Sequence, residues 1–268
     1  MDAVSTLRQN QILELLQELE RENDITIIHA VESGSRAWGF PSSDSDYDIR
    51  FIYHHPQAWY ISAFEKKDHI ELEISDDLDA GGWDIGKMLR LMQKGNAAAF
   101  EWLYSPVVYR SNVQKTQLLK DLGAEIFNPA PVFYHYCSLA KKKLSDTATQ
   151  TNAKYFLYAL RALLCAKFVA DKTVIDKATA PPVNFHVLVE EYLPANMQTQ
   201  LNDVLTIKAQ GGEKDTFEIP KELWMFANGL YQMLSSHKVT GDKCKDLEVF
   251  DEVFRKVVAS SNISCFGE

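Results

Sequence analysis

The spacing of apolar and polar residues divides the chain into two unlike parts. Ile12, Leu15, Leu16 and Leu19 recur at helical intervals and predict a first helix over residues 5–21. Residues 25–31 are β-branched and apolar, the pattern of a buried strand. Ser33-Gly34-Ser35 breaks it sharply, and residues 40–44 read as a loop from their Pro, Ser and Asp content. A second strand is expected over 46–53, while 54–68 shows no clear period. Ile70, Leu72 and Ile74 then alternate with Glu71 and Glu73, as in a half-exposed strand. Gly81-Gly82 predicts a turn. Asp84 is placed to cap a helix whose apolar face is Ile85, Met88, Leu89 and Met92; Gly95 ends it, and Ala97–Leu103 forms another short helix.

Beyond about Val113 the strand signals fade. Helices are expected over 132–143, 153–170, Phe185–Tyr192, 197–209, 220–234 and 247–258, with breaks at Pro181-Pro182 and Gly211-Gly212. The fold class is α+β: a mixed sheet with flanking helices over residues 1–112, followed by a helical domain over 113–268. A length of 268 residues suits one large core or two modest ones.

Composition narrows the function. Hydrophobic residues make up 46% and charged residues 24%, the balance of a soluble globular protein. No apolar run approaches the ~18 residues of a membrane span, and the first residues lack the pattern of a signal peptide. A cytoplasmic location with no membrane partner is expected. Net charge is −9, which disfavours extended DNA or RNA binding and suits a small nucleotide better. Cys137, Cys165, Cys244 and Cys265 are too scattered for a zinc site or a disulfide framework, and Cys165 reads as a small buried hydrophobe.

The candidate chemistry lies between the first two strands. On a strand, Asp46 and Asp48 point to one face, and Tyr47, Ile49 and Phe51 to the other. Paired carboxylates repel unless a cation joins them, and oxygen ligands suit Mg²⁺ or Mn²⁺. By the same alternation Arg50 shares the acids' face, where it contacts phosphate or forms a surface ion pair. Gly34 permits a tight turn beside a ligand, and Ser35 adds a hydroxyl donor for phosphate. Neither pair is specific alone. Their order after an apolar strand is what phosphoryl or nucleotidyl transfer requires, since such catalysis is mostly positioning and charge neutralisation.

The run Gly34-Ser35-Arg36-Ala37-Trp38-Gly39 followed by Ser45-Asp46-Tyr47-Asp48 resembles the G-S-x-x-x-G…S-D-x-D signature of the DNA polymerase beta-like nucleotidyltransferase superfamily. The longer match through Tyr53 is similar to the bacterial and phage branch of predicted, RNA-repair-associated members. Gly82-Trp83-Asp84, Lys87, Asn96, Glu101-Trp102, Ser105-Pro106, Tyr109, Lys154-Tyr155, Tyr158 and Arg161 extend it, so that the likeness covers roughly residues 25–210.

The resemblance implies an N-terminal polymerase beta-like nucleotidyltransferase domain. Gly34 and Ser35 would hold a triphosphate, ATP foremost, and Asp46 and Asp48 the metal ions bridging it. A third carboxylate activates the acceptor hydroxyl in this superfamily. Asp79 is favoured, because the branch carries an acid just before Gly82-Trp83-Asp84; Asp77, Glu71 and Glu73 are the alternatives. Lys87 is a candidate nucleotide contact from its helix's first turn, where a cation is electrostatically misplaced without a use. Tyr158 and Arg161 would be contacts from a helical half closing over the nucleotide; otherwise the tyrosine is core and the arginine pairs with an acid. Asn96 and Glu101 are expected to cap and brace, Trp38 to pack, and His54-His55 to be a loop pair rather than a zinc site.

The expected reaction is transfer of a nucleoside monophosphate from an NTP to a hydroxyl of an RNA end, a protein or a small molecule, with pyrophosphate release. The rivals are a nucleotide-binding regulatory protein that kept the fold without turnover, and an antitoxin-type interaction protein.

Overall fold

The computed structural model describes residues 4–75, 77–175, 178–210 and 217–259; Gly211-Gly212 and Cys265 lie outside them. The first part runs α1 (Thr6–Asn23), β1 (Thr26–Glu32), α2 (Gly34–Trp38), β2 (Tyr47–His54), α3 (Gln57–Tyr60), β3 (His69–Ser75), β4 (Leu78–Asp84), α4 (Ile85–Gln93), α5 (Ala97–Leu103) and β5 (Val108–Ser111). The strands form one mixed sheet in the order β3-β4-β2-β1-β5. Only β2 and β4 pair in parallel; the other neighbours are antiparallel.

Each face of the sheet has its own cover. Ile12, Leu16 and Leu19 of α1 pack on Ile27, Ala30, Ile49, Phe51 and Tyr53. Ile28, Val31 and Ile52 look the other way and join α4 and α5. In β1 the period of two slips at a bulge between Ile27 and His29, which lets both Ile27 and Ala30 face α1. In β2 the alternation is regular, so Ile49 and Phe51 are buried beneath α1 as the sequence predicts.

The second part is helical: α6 (Val113–Ile126), α7 (Pro129–Leu144), α8 (Ala153–Val174), α9 (Phe185–Tyr192), α10 (Gln198–Gln210), α11 (Lys221–Ser235) and α12 (Glu248–Ala259). No strand follows Ser111 among the described residues. Helix α8 is apolar nearly all round because its neighbours enclose it; Phe156, Leu160, Leu163, Leu164 and Val169 are fully buried. Its core is continuous with the residues on the sheet's second face, from Ile28 through Phe100 and Phe133 to Leu223. No helix among the described residues is long and apolar enough to cross a membrane.

The sequence reading needs three corrections. Gly81-Gly82 is not a turn but lies inside β4, and the chain reverses between β3 and β4 before Leu78. Gly82 serves close packing: a Cβ there would stand 2.1 Å from the Phe51 ring, whereas one on Gly81 would meet the Arg50 guanidinium at an ordinary 3.5 Å. His54-His55 is a loop pair only in part, since His54 ends β2 and His55 follows it. Both rings are buried, His55 stacked on Trp59 at 3.9 Å and His54 Nε2 lying 2.9 Å from Lys115 Nζ. Strand β5 and helix α6 went unpredicted. The strand is four residues long with a mixed burial pattern, and the helix has only a sparse apolar stripe.

Candidate active site

The sheet's topology brings the predicted acids together. Parallel pairing of β2 with β4 aligns Asp48 with Asp79, and Arg50 with Gly81. Residues at matched positions on adjacent strands point to the same face, so the Asp48 and Asp79 carboxylates are neighbours. Arg50 lies between them: Nη2 donates to Asp79 Oδ2 at 2.6 Å and to Asp48 Oδ1 at 3.2 Å, and Nη1 donates to the Ile49 carbonyl at 3.0 Å. Gly81 lies against that guanidinium. Asp46 sits one residue before β2 and is exposed.

The alternative third acids come from β3 and its connection to β4. Asp77 pairs with Arg8 of α1. Glu71 is exposed on β3 opposite Gly81. The Glu73 backbone pairs with Asp79, and its side chain is outside the described residues.

The Gly-Ser turn and the Asp-x-Asp strand are in contact. Gly34 adopts φ 62°, and a Cβ there would stand 2.5 Å from Asp48 Oδ2. Glycine therefore serves twice, in the left-handed backbone and in the space for the carboxylate. The Ser33 amide donates to the Asp48 carbonyl at 2.9 Å. The Ser35 hydroxyl donates to Ser45 Oγ at 3.2 Å. Arg36 fixes the approach to β2 by donating to the carbonyls of Ser45 and Asp46 at 2.7 and 3.1 Å, its guanidinium 3.9 Å from the Tyr47 ring centre.

Beneath Asp48 lies Glu32, a residue that strand alternation alone does not single out. It is fully buried at the end of β1, where it accepts the Asp48 amide at 2.8 Å and the Tyr109 hydroxyl. Burial pushes its carboxyl up to about 7, against the pull of those two donors. Burial likewise raises Asp48; Arg50 opposes the rise, and Asp79 and Asp46 add to it.

The Glu32 shift has a definite sign. Unfolded, the group titrates near 4.5, and folded near 7. The native state thus holds the proton more tightly. Its stabilisation is fullest below pH 4.5 and is lost as pH rises through 7, a change of about 3 kcal/mol. A Glu32→Gln protein, which keeps an acceptor for the Asp48 amide, should therefore show a flatter stability profile between pH 5 and 8. Urea melts at both pH values in metal-free buffer check this; equal slopes for the two proteins would contradict it.

Three predicted nucleotide contacts are not brought to the acids. Lys87 lies past the far end of β4, five strand residues or roughly 16 Å beyond Asp79, with Nζ 3.4 Å from Asp68. Arg161 is buried: Nη1 donates to Glu101 Oε1 at 3.0 Å and Nη2 to the Val183 carbonyl at 3.3 Å. Glu101 also accepts from Tyr136 and Trp38 at 2.6 and 3.1 Å. Tyr158 packs its ring against Trp38 and Phe40. Tyr158, Arg161 and Glu101 all meet Trp38 of α2. Asn96 caps α5 through the Ala99 amide at 3.2 Å.

The helical half supplies other cations. Lys154, at the start of α8, is near enough to draw Asp48 down. Lys208 of α10 donates to Ser42 Oγ at 2.7 Å and Ser45 Oγ at 3.2 Å. Only the first was noticed in sequence; Lys208 carries no local signal, since 166 residues separate it from Ser42. On the other side of Asp79 a groove of about 610 Å³ runs along β3 and β4, lined by Arg50, Glu71, Asp79, Gly81 and the stacked indoles of Trp83 and Trp102, 3.6 Å apart.

The mixed sheet thus sets carboxylates from two adjacent parallel strands beside a glycine turn. Residues 8–256 match the model of the RNA repair pathway DNA polymerase beta family, and the chain belongs to that family. It is 37% identical over 210 residues to the uncharacterized protein YcgL of Bacillus subtilis (strain 168), an overlap of 77% of this chain and 79% of that protein. The crystal structure of a nucleotidyltransferase-like protein from Exiguobacterium sibiricum 255-15 aligns over 95% of this chain and 80% of that one, at 12% identity and a TM-score of 0.32. A likeness of that size adds nothing to the family assignment.

Proposed function

We propose that the protein is a metal-dependent nucleotidyltransferase that moves a nucleoside monophosphate from an NTP, ATP foremost, to a hydroxyl acceptor and releases pyrophosphate. The observation that carries this reading is the pairing of Asp48 with Asp79 on adjacent parallel strands, with the Gly34 turn pressed against Asp48. Family membership supports the reaction class.

The donor set fits a hard divalent cation in chemistry: Asp46, Asp48 and Asp79 offer carboxylate oxygens. No ready-made cluster of three ligands stands among the described residues, and Arg50 provides the positive charge between Asp48 and Asp79. Asp46, Asp48 and Asp79 would hold Mg²⁺ or Mn²⁺, with Arg50 turning toward phosphate. The ion supplies charge neutralisation at the polyphosphate.

The two sides of the acids differ. Serine hydroxyls with Lys154 and Lys208 lie on one side, the chemistry of a polyphosphate. The open groove lies on the other, and through it an acceptor hydroxyl reaches Asp79, the base in this reading. The acceptor is an RNA end, a protein or a small molecule; the RNA-repair description of the family favours the first.

The test separates binding from chemistry. Asp79→Ala should bind Mg-ATP in calorimetry with an affinity close to that of the wild type, yet transfer at least 100-fold more slowly. Unchanged transfer would remove Asp79 from the mechanism. A wild type that binds none of the four NTPs would contradict the whole reading.

A further inference from the structure

The end of β4 far from Asp79 opens into a groove that the proposed chemistry does not use. Two cavities of about 650 and 500 Å³ share Gly86, Arg90 and Phe254 in their walls, so they adjoin along α4 and α12. Trp59, Tyr60, Phe64 and Phe254 line the first with aromatic rings. Leu89, Leu247 and Phe250 line the second. Phe64 is 84% exposed and Leu247 59%, one at each end of the groove. Large apolar side chains gathered around an open groove mark a surface that another molecule covers.

The charges around the groove select its occupant. Both cations in its walls are engaged: Arg90 Nη2 donates to Asp68 at 2.7 Å, and Lys66 Nζ donates to the Trp59 carbonyl at 3.0 Å. The exposed carboxylates of Glu65 and Asp251, one in each cavity, form no ion pair among the described residues. At the base, buried Asp84 accepts the Tyr60 hydroxyl at 2.6 Å and the Gly86 amide at 2.8 Å. The uncompensated charge is therefore negative, and it complements a cation. Trp59 already receives one, since the exposed Lys66 ammonium stands 4.7 Å from its ring centre, where an incoming cation can replace it. The same charges oppose a polyanion such as RNA. A free amine would fill the aromatic end alone. The groove continues along α4 from Gly86 to Gln93, seven residues or roughly 10 Å, which suits an extended occupant.

We propose that this groove is a docking surface for a basic segment of another protein, one that carries lysine or arginine beside large apolar side chains. The cation takes the aromatic end against Trp59 and Glu65, and the apolar side chains lie between α4 and α12 beside Asp251. The inference stands apart from the nucleotidyl-transfer reading, because no residue of the acid cluster lines the groove.

Fluorescence anisotropy with short labelled peptides tests it on the full chain. The probe places lysines beside phenylalanines in a glycine–serine background. One control replaces the lysines by glutamates, another replaces the phenylalanines by serines, and a single-stranded RNA of similar length is the third. The lysine–phenylalanine peptide should bind at least tenfold more tightly than any control. Glu65→Lys/Asp251→Lys should weaken that binding at least tenfold, and Phe64→Ser at least threefold. Thermal melting should stay unchanged, since all three side chains are exposed. No binding of the probe, equal binding of the lysine and glutamate peptides, or unchanged affinity in the charge-reversed variant overturns the proposal. Tighter binding of the RNA overturns it too. Equal binding of the lysine–serine peptide reduces the groove to a site for an isolated cation and overturns docking of an apolar segment.

Discussion

Asp48→Asn should lower nucleotidyl transfer at least 10³-fold, about 4 kcal/mol of transition-state stabilisation, and leave the fold intact. Asparagine has the size of aspartate, so it fits the space that Gly34 leaves for the side chain. The main chain of β2 keeps its links to Ser33 and Glu32, which use the Asp48 carbonyl and amide rather than the carboxylate. What is lost is the charge. Asp48 is the half-buried acid of the cluster, and burial raises its carboxyl. Retaining a charge at such a position is explained by a cation or a cationic partner, and Arg50 is that partner in the structure. Removing the negative charge removes a ligand oxygen for the ion that the reading requires. Transfer assays beside circular dichroism and thermal melting check both halves. A loss smaller than tenfold would separate Asp48 from the chemistry.

Glu101→Ala should destabilise the protein by about 3–5 kcal/mol, because it leaves a buried Arg161 guanidinium without its counter-charge. Burial opposes ionisation of Glu101, but the Arg161 charge and the Tyr136 and Trp38 donors together hold it below the ordinary carboxylate range. The variant also strands those donors, and Arg161 Nε already has no partner among the described residues. Such a loss is a large share of the roughly 5–15 kcal/mol that holds a domain together. Trp38 ends α2, so activity should fall with stability. The double variant Glu101→Leu/Arg161→Leu should recover part of the loss, since it removes both charges. Urea unfolding of the single and double variants checks this; a cost under 1 kcal/mol for Glu101→Ala would contradict the account.

Much of the site was legible because its logic is local. The Gly34-Ser35 turn and the Asp46-x-Asp48 strand are close in sequence, and strand alternation assigns Asp48 to one face and Ile49 to the other. Choosing Asp79 over Asp77 required the resemblance to the family; the structure then set Asp79 beside Asp48 through the parallel register of β2 with β4. Register between distant strands is not written in either strand alone. Gly81-Gly82 was misread for the same reason. A glycine pair marks a turn locally, but here both glycines lie inside β4, and Phe51 from the neighbouring strand leaves no space for a side chain at Gly82.

Long-range pairing also explains what the sequence left open or concealed. Arg161 shares a helical face with Tyr158 and so looks like a ligand contact, yet its partner is Glu101, 60 residues earlier. Glu32 lies just past the apolar run of residues 25–31, and only burial in the folded chain, against the pull of the Tyr109 and Asp48 donors, makes it a carboxyl poised near neutrality. Lys208 becomes visible only when α10 folds back onto the serine loop.

The central claim is that the acids at Asp46, Asp48 and Asp79 pass a nucleoside monophosphate from an NTP to a hydroxyl. The most direct measurement is to follow two labels in parallel, one on the α-phosphate and one on the γ-phosphate of each NTP, with Mg²⁺ or Mn²⁺ and a panel of RNA, protein and small-molecule acceptors. The account predicts that the α-label becomes attached to an acceptor and the γ-label leaves in pyrophosphate, and that both events vanish in Asp48→Asn. Transfer of the γ-label, release of inorganic phosphate with NDP, or identical behaviour of wild type and Asp48→Asn would contradict it.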